Sequence, residues 1–226
     1  MYYRVSSVSS LIVYFGDVIS DEVSAKVLSV YHKLKGSDTD GLIEIVPSYT
    51  TLFVEFDIFL HTHESLFGIL QGLAQQGQQI QKLKAEKPIL IPAYYDEEVG
   101  FDLSRVAQMH DMSIPELIEI HTQKIYTVYT VGFAPGFAYM GSVDDKIATP
   151  RLETPRANIP KGSVAIANSQ CAVYPQASPA GWNILGRTYI EMFDRGIDGF
   201  SYLRAGDRVR FVAISRDEFV SQGGVI

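Results

Sequence analysis

The chain has 226 residues, 46% of them hydrophobic and 12% aromatic, enough to core one large domain or two small ones. A formal net charge of −7 excludes the basic footprint of a general nucleic-acid binder and gives no attraction to anionic membranes. The single cysteine, Cys171, excludes an internal disulfide, no stretch reaches the ~18 apolar residues of a membrane span, and the N-terminus lacks a signal-peptide pattern, so a soluble, cytoplasmic protein without metal is expected.

YYRVSSV and SLIVYFGD are rich in β-branched and aromatic residues and read as the first two strands. Ser20 opens a helix with Asp21 and Glu22 in its first turn, where the helix dipole favours negative charge. Val23, Val27, Val30, Tyr31 and Leu34 share one face of it, and Gly36 follows its end. GLIEIVP and TLFVEFDIF are two further strands, parted by a polar turn at 48–51. A helix over about 64–83 carries Leu66, Leu70, Leu73 and Ile80 on one side. Two helices against one antiparallel sheet make an α+β sandwich.

The composition changes at AEKPILIP, which places a domain boundary between Lys87 and Pro88. PILIPAYY is the next strand, followed by a short helix from about Asp102. Ser113 and Glu116 form a capping box for another helix, with Met112 and Leu117 as its hydrophobic staple. After TVYTVGF the helical signals stop. SVAIAN, CAVYP, YIEMF and RVRFVAI are short strands between Gly and Pro signals, as in a β-barrel or sandwich.

No GxxxxGK[ST], GxGxxG or GxSxG signature is present, and the Gly- and Phe-rich loop VGFAPGFAYMG (131–141) has no lysine or hydroxyl placed for phosphate and magnesium. His61 and His63 share a face at a strand end without a third metal ligand nearby. His110 reads as structural. His121 ends the capped helix just before the strand that leads into 131–141, which makes it a site candidate. Cys171 has no paired histidine after it and reads as a small apolar strand residue. From Arg151 to Arg187 four cations, Arg151, Arg156, Lys161 and Arg187, face the single carboxylate of Glu153. A proline-stiffened loop bearing arginines suits the positioning of an anion, or is a solvated charged loop. Trp182, the only tryptophan, follows Pro-Ala-Gly and is a packing anchor, a pocket floor or an interface residue.

Taken together, GFAPGFAYMG, ATPRLETPRANIPKGSVAIA and YPQASPAGWNILGRT, with SLIVYFGD, IVPSYTTLFVEFD and ILIPAYYDEEVGFDLSRVAQMHDMSIPELIEIH before them, resemble allophanate hydrolase subunit 1, the family also called KipI-like or the 5-oxoprolinase B subunit. The resemblance runs through essentially the whole chain. It implies an N-terminal ferredoxin-like α+β sandwich domain (1–87) and a C-terminal cyclophilin-like β-barrel domain (88–226). Where the family pattern has GGQTGIYP this chain has NSQCAVYP (168–175), keeping Gln170, Tyr174 and Pro175 but not the glycines or the threonine.

The resemblance also implies a role in ATP-dependent opening of 5-oxoproline to L-glutamate. The implied partners are the related 5-oxoprolinase C subunit, which is like allophanate hydrolase subunit 2, and a third chain like the A subunit. Such a protein is expected to be inactive alone, with ATP handled through its partners. On this reading Arg151 and Arg156 are anion clamps, Gln170 a donor and His121 an acid/base or orienting group. Phe133, Pro135, Phe137, Tyr174, Trp182 and Arg187 are expected around the substrate. The alternatives are an inhibitor of a sensor histidine kinase, acting as a binding module, and a component of urea or allophanate breakdown.

Overall fold

The computed structural model describes residues 1–76, 87–197 and 199–226. The chain divides between residues 86 and 87 into two units, each with its own core.

In the first unit, β1 (Tyr2–Ser7), β2 (Ser10–Tyr14), β3 (Leu42–Pro47) and β4 (Thr51–Phe56) form an antiparallel sheet in the order β1-β2-β4-β3. Alternation along the central strands places Leu11, Val13, Leu52, Val54 and Phe56 on one face. There they meet Val27, Val30 and Leu34 of α1 (Asp21–Lys35) and Leu66 and Leu70 of α2 (His63–Gln75). The Ser20 side chain caps α1 by accepting the Val23 N–H, and Thr62 and Ser65 cap α2 reciprocally. The sequence signals place the start of α2 within a residue. The rest of the expected helix, with Ile80, lies outside the described residues. His61 and His63 place Nε2 against the carbonyls of Asp40 and Ser7, at 2.8 and 2.9 Å.

The second unit is a closed seven-stranded barrel, which fits the cyclophilin-like expectation. Its strands are β5 (Ile89–Tyr94), β6 (Tyr126–Val131), β7 (Ala138–Gly141), β9 (Ser163–Ala167), β10 (Gln170–Val173), β12 (Asn183–Arg187) and β13 (Arg208–Ile214), in the closed order β10-β7-β6-β13-β5-β12-β9. Between β7 and β9 lies β8 (Arg156–Ile159), which pairs with β11 (Ser178–Ala180) in a separate two-stranded ribbon. Helices α3 (Leu103–Met109) and α4 (Ile114–Gln123) pack Leu103, Val106 and Leu117 against the barrel interior. Ser113 and Glu116 make the expected capping box on α4.

Alternation divides the barrel side chains between two clusters. Ala138 and Met140, Val164 and Ile166, Cys171 and Val173, and Leu185 point inward. Their neighbours Phe137, Ala165, Ala167, Ala172, Tyr174 and Ile184 belong to a second cluster with Trp182 and Ile159, on the outer side. β9 is therefore buried at every position, which explains its unbroken apolar sequence SVAIA.

Several segments differ from the sequence reading: β7, β8, β11 and β12 are strands it does not expect, and two further segments depart as follows. YIEMF (189–193) is not a strand: the Thr188 hydroxyl accepts the Ile190 N–H at 3.1 Å, a local bond that competes with a ladder. Beyond β13 one more helix, α5 (Arg216–Ser221), is capped by Ser215, with Asp217 and Glu218 in its first turn.

Candidate functional site

The outer cluster is a set of edge-on aromatic rings. Phe137 at its centre lies 5.4 Å from Phe133, 4.7 Å from Tyr139, 5.2 Å from Tyr174 and 5.9 Å from Trp182, between ring centroids. Over the Trp182 indole stands the guanidinium carbon of Arg151, 5.7 Å from the ring centroid, a cation–π contact. Arg151 is exposed and has no carboxylate partner among the described residues. Burial raises the Tyr139 and Tyr174 hydroxyls above the ordinary phenol value, and the charge of Arg151 offsets part of the rise in each. The result is an aromatic shelf, its Phe137, Tyr174 and Trp182 rings buried, with one exposed cation at its edge.

The other members of the basic island have partners. Arg156 donates two parallel bonds to Asp102, Nη1 to Oδ2 at 2.8 Å and Nη2 to Oδ1 at 2.9 Å. This fork is occupied, so the clamp expected of Arg156 is aimed at a buried carboxylate rather than at an exposed anion site. Lys161 pairs with Glu191 at the surface. Arg187, expected beside the substrate, is buried and donates Nη1 to the Val225 carbonyl at 2.8 Å, with its Nε unpaired among the described residues. Desolvation lowers its pKa.

His121 is fully buried inside the barrel, with its ring against Tyr126 and Phe211. Its Nδ1 is 2.9 Å from the Tyr95 hydroxyl and its Nε2 3.5 Å from Cys171 Sγ. Desolvation lowers the imidazole to about 3 and pushes the Cys171 thiol and the Tyr95 hydroxyl up, so all three are neutral. A neutral thiol without solvent contact is not an activated nucleophile. The sequence reading missed this pairing because it sought a histidine after the cysteine, and His121 precedes it. His121 and the aromatic shelf occupy opposite faces of the barrel strands. Gln170 begins β10 and by alternation shares the outer face with Ala172 and Tyr174.

The 131–141 loop forms one wall of a shallow, open groove of about 540 Å³, lined by Phe133, Pro135 and Gly136 and, opposite, by Phe193, Phe200 and Ser201. Gly136 has φ +80, and a Cβ there would sit 2.5 Å from the Met192 carbonyl oxygen, so the loop requires glycine. Phe133 and Phe200 are 71% and 56% exposed and both have positive φ, at 74° and 60°. That conformation is unfavourable for a bulky residue, so the surrounding structure holds both rings out. Phe133 joins the groove to the shelf through Phe137.

The family model for the carboxyltransferase domain, subdomain C and D, matches residues 1–203. The chain is 34% identical over 220 residues to the 5-oxoprolinase B subunit of Bacillus subtilis (strain 168), covering 93% of this chain and 92% of the relative. It is 38% identical over 164 residues to the Haemophilus influenzae protein of the same name, covering 73% of each. The chain belongs to the 5-oxoprolinase B-subunit family. Among solved structures, TTHA0988 superposes with a TM-score of 0.80 at 32% identity, over 91% of this chain and only 40% of that one. PH0987 from Pyrococcus horikoshii, 38% identical, matches over 96% of this chain and all of its own length with a TM-score of 0.58. Urea carboxylase of Kluyveromyces lactis shares the fold, with a TM-score of 0.72 at 16% identity over 97% of this chain and 22% of that one.

In this member of the 5-oxoprolinase B-subunit family, the departure at NSQCAVYP has a structural reading. Asn168, which stands where the family pattern has glycine, has φ +52, a conformation that asparagine tolerates better than most residues. Cys171 replaces threonine on the inner face, where a hydroxyl has no route to the shelf. The residue that sequence reasoning missed is Asp102. It lies 54 positions from Arg156, and only its place at a helix start was visible. No group of three or more His, Cys, Asp or Glu side chains suited to a metal occurs among the described residues. No described helix is long and apolar enough to cross a membrane.

Proposed function

We propose that this chain is the B subunit of a cytoplasmic, ATP-dependent 5-oxoprolinase that converts 5-oxo-L-proline to L-glutamate, together with a related C subunit, like allophanate hydrolase subunit 2, and a third chain like the A subunit. The observation that carries the proposal is the match at 34% identity along nearly the full length of both proteins to a relative named as the 5-oxoprolinase B subunit. The geometry supports it. A lactam is a poor electrophile. Transfer of the ATP γ-phosphoryl group to the lactam oxygen leaves ADP and activates the ring carbon. Water adds there, the ring C–N bond breaks as the nitrogen takes up a proton to give γ-glutamyl phosphate, and a second water releases phosphate and glutamate. The anionic substrate and its phosphorylated form need fixed positive charge and excluded water. Arg151 supplies the charge, and Phe137, Tyr174 and Trp182 supply a rigid apolar wall, with Gln170 as a donor on the same face. The chain carries no nucleotide-binding signature, so ATP is handled with the partner chains and the isolated chain is inactive.

We also propose that the first unit is a ferredoxin-like sandwich in permuted order. With β1 moved to the end, its elements read β2-α1-β3-β4-α2-β1, the β-α-β-β-α-β pattern. A second functional reading, a binding module that docks on a kinase, is favoured by the outward-held Phe133 and Phe200. Co-expression with the two candidate partner chains and an assay of 5-oxoproline-dependent ADP release separates the two. Turnover is expected only when this chain is included, and undiminished turnover in its absence refutes the enzyme reading.

A further inference from the structure

We infer that Asp102 is the positioning residue of the shelf, holding the segment 149–156 so that the Arg151 guanidinium stands over Trp182. The importance of this for catalysis rests on the reading of the shelf as the substrate-facing site. The Asp102 side chain is 2% exposed and faces four donors. Arg156 binds it two-pronged, Arg105 Nε reaches Oδ1 at 3.3 Å, and the Ile184 N–H reaches Oδ2 at 2.8 Å. Its own N–H donates to the Ile184 carbonyl at 2.9 Å, so Asp102 is fixed to β12 through both main chain and side chain.

From this anchor, bonds run to one residue flanking Arg151, and the residue on its other side is bonded beside Trp182. Arg105 Nη2 donates to Asn183 Oδ1, and Asn183 Nδ2 donates to the Pro150 carbonyl at 2.9 Å. The Leu152 N–H donates to the Gly181 carbonyl at 2.7 Å. Residues 150 and 152 are thus tied to 183 and 181, the two neighbours of Trp182. Arg156, five positions after Arg151, is tied to Asp102 directly. Cation and indole are held by one framework, and Asp102 is the carboxylate between the two guanidiniums in it. Removing its charge leaves Arg105 and Arg156 facing each other uncompensated, which drives the 149–156 segment away from β12.

Trp182 is the only tryptophan, so its fluorescence reads the shelf in the full chain without partners or turnover. Asp102→Asn is expected to shift Trp182 emission as Arg151→Ala does. So is the milder Arg156→Lys, which keeps the charge but loses the two-pronged pairing. Combining either with Arg151→Ala is expected to add nothing further. In the complex of all three chains the same variants are expected to lower kcat/KM for 5-oxoproline on the order of ten- to a hundred-fold, through KM. Emission unchanged in Asp102→Asn and Arg156→Lys, or in Arg151→Ala itself, overturns the positioning role. A lower Tm with emission and KM unchanged marks a purely structural pair and overturns it as well. If emission shifts as expected while Arg151→Ala complexes turn over normally, the positioning of Arg151 stands and the substrate-facing reading of the shelf falls.

Discussion

The inner and outer faces of β7, β9, β10 and β12 are built from alternate residues of the same strands, yet they hold polar groups in opposite ways. On the inner face the fully buried His121 and Cys171 and the half-buried Tyr95 satisfy one another, and desolvation keeps each neutral. On the outer face the exposed Arg151 stands over the edge of an aromatic cluster whose Phe137, Tyr174 and Trp182 rings are buried. The contrast shows that a titratable residue beside a strand motif belongs to a site only if its parity matches. Cys171 and Gln170 are adjacent in sequence and lie on different faces.

The largest test of this division is a pair of truncations. Trp182→Ala and Phe211→Ala each remove a large buried ring, and each is expected to cost about 3–5 kcal/mol in denaturant unfolding followed by circular dichroism. Under conditions where both variants remain folded, only Trp182→Ala is expected to abolish substrate binding by the complex. Equal loss of binding in Phe211→Ala breaks the comparison. Next in size, Arg151→Ala is expected to reduce kcat/KM about ten- to a hundred-fold. Its unfolding free energy should stay within about 0.5 kcal/mol of wild type, because the side chain is exposed and without an ion pair among the described residues.

The inner face is tested by pH. Burial holds the His121 imidazole at about 3, against an ordinary value near 6.5. As pH falls below about 6.5 the unfolded chain takes up a proton that the folded chain refuses until about 3. The stability that depends on neutral His121 is therefore complete above about 6.5 and is lost progressively toward 3, with about 1.4 kcal/mol gone at about pH 5.5. A Tm–pH curve is expected to fall over this window, and to fall less steeply in His121→Gln. The smallest effect is expected from Lys161→Ala. It removes an exposed pair with Glu191 and should change stability by less than about 1 kcal/mol, with kinetics unchanged.

Local signals were legible in the sequence. Ser20, and Ser113 with Glu116, cap the helices expected of them, and the strand patterns lead to a barrel. These features depend on residues within a turn of one another. Long-range pairings were not legible. The two TPR repeats look equivalent, yet Arg156 meets Asp102, 54 positions away, while Arg151 meets Trp182. The ribbon of β8 and β11 hides in proline-rich segments whose strand character comes only from pairing with each other. The resemblance grouped His121 and Arg187 with the aromatic residues, but burial and partners place both elsewhere. Grouping by motif carries no information on which face of a strand a residue occupies.

The most direct test of the account compares 5-oxoproline-dependent ADP release by the three-chain complex carrying Arg151→Ala with that of the complex carrying Cys171→Ala. The account predicts that, at 5-oxoproline well below KM, Arg151→Ala loses most turnover while keeping the wild-type Tm, and that Cys171→Ala keeps turnover while its Tm falls. Normal turnover in an assembled Arg151→Ala complex, or loss of turnover in a folded Cys171→Ala complex, would contradict it.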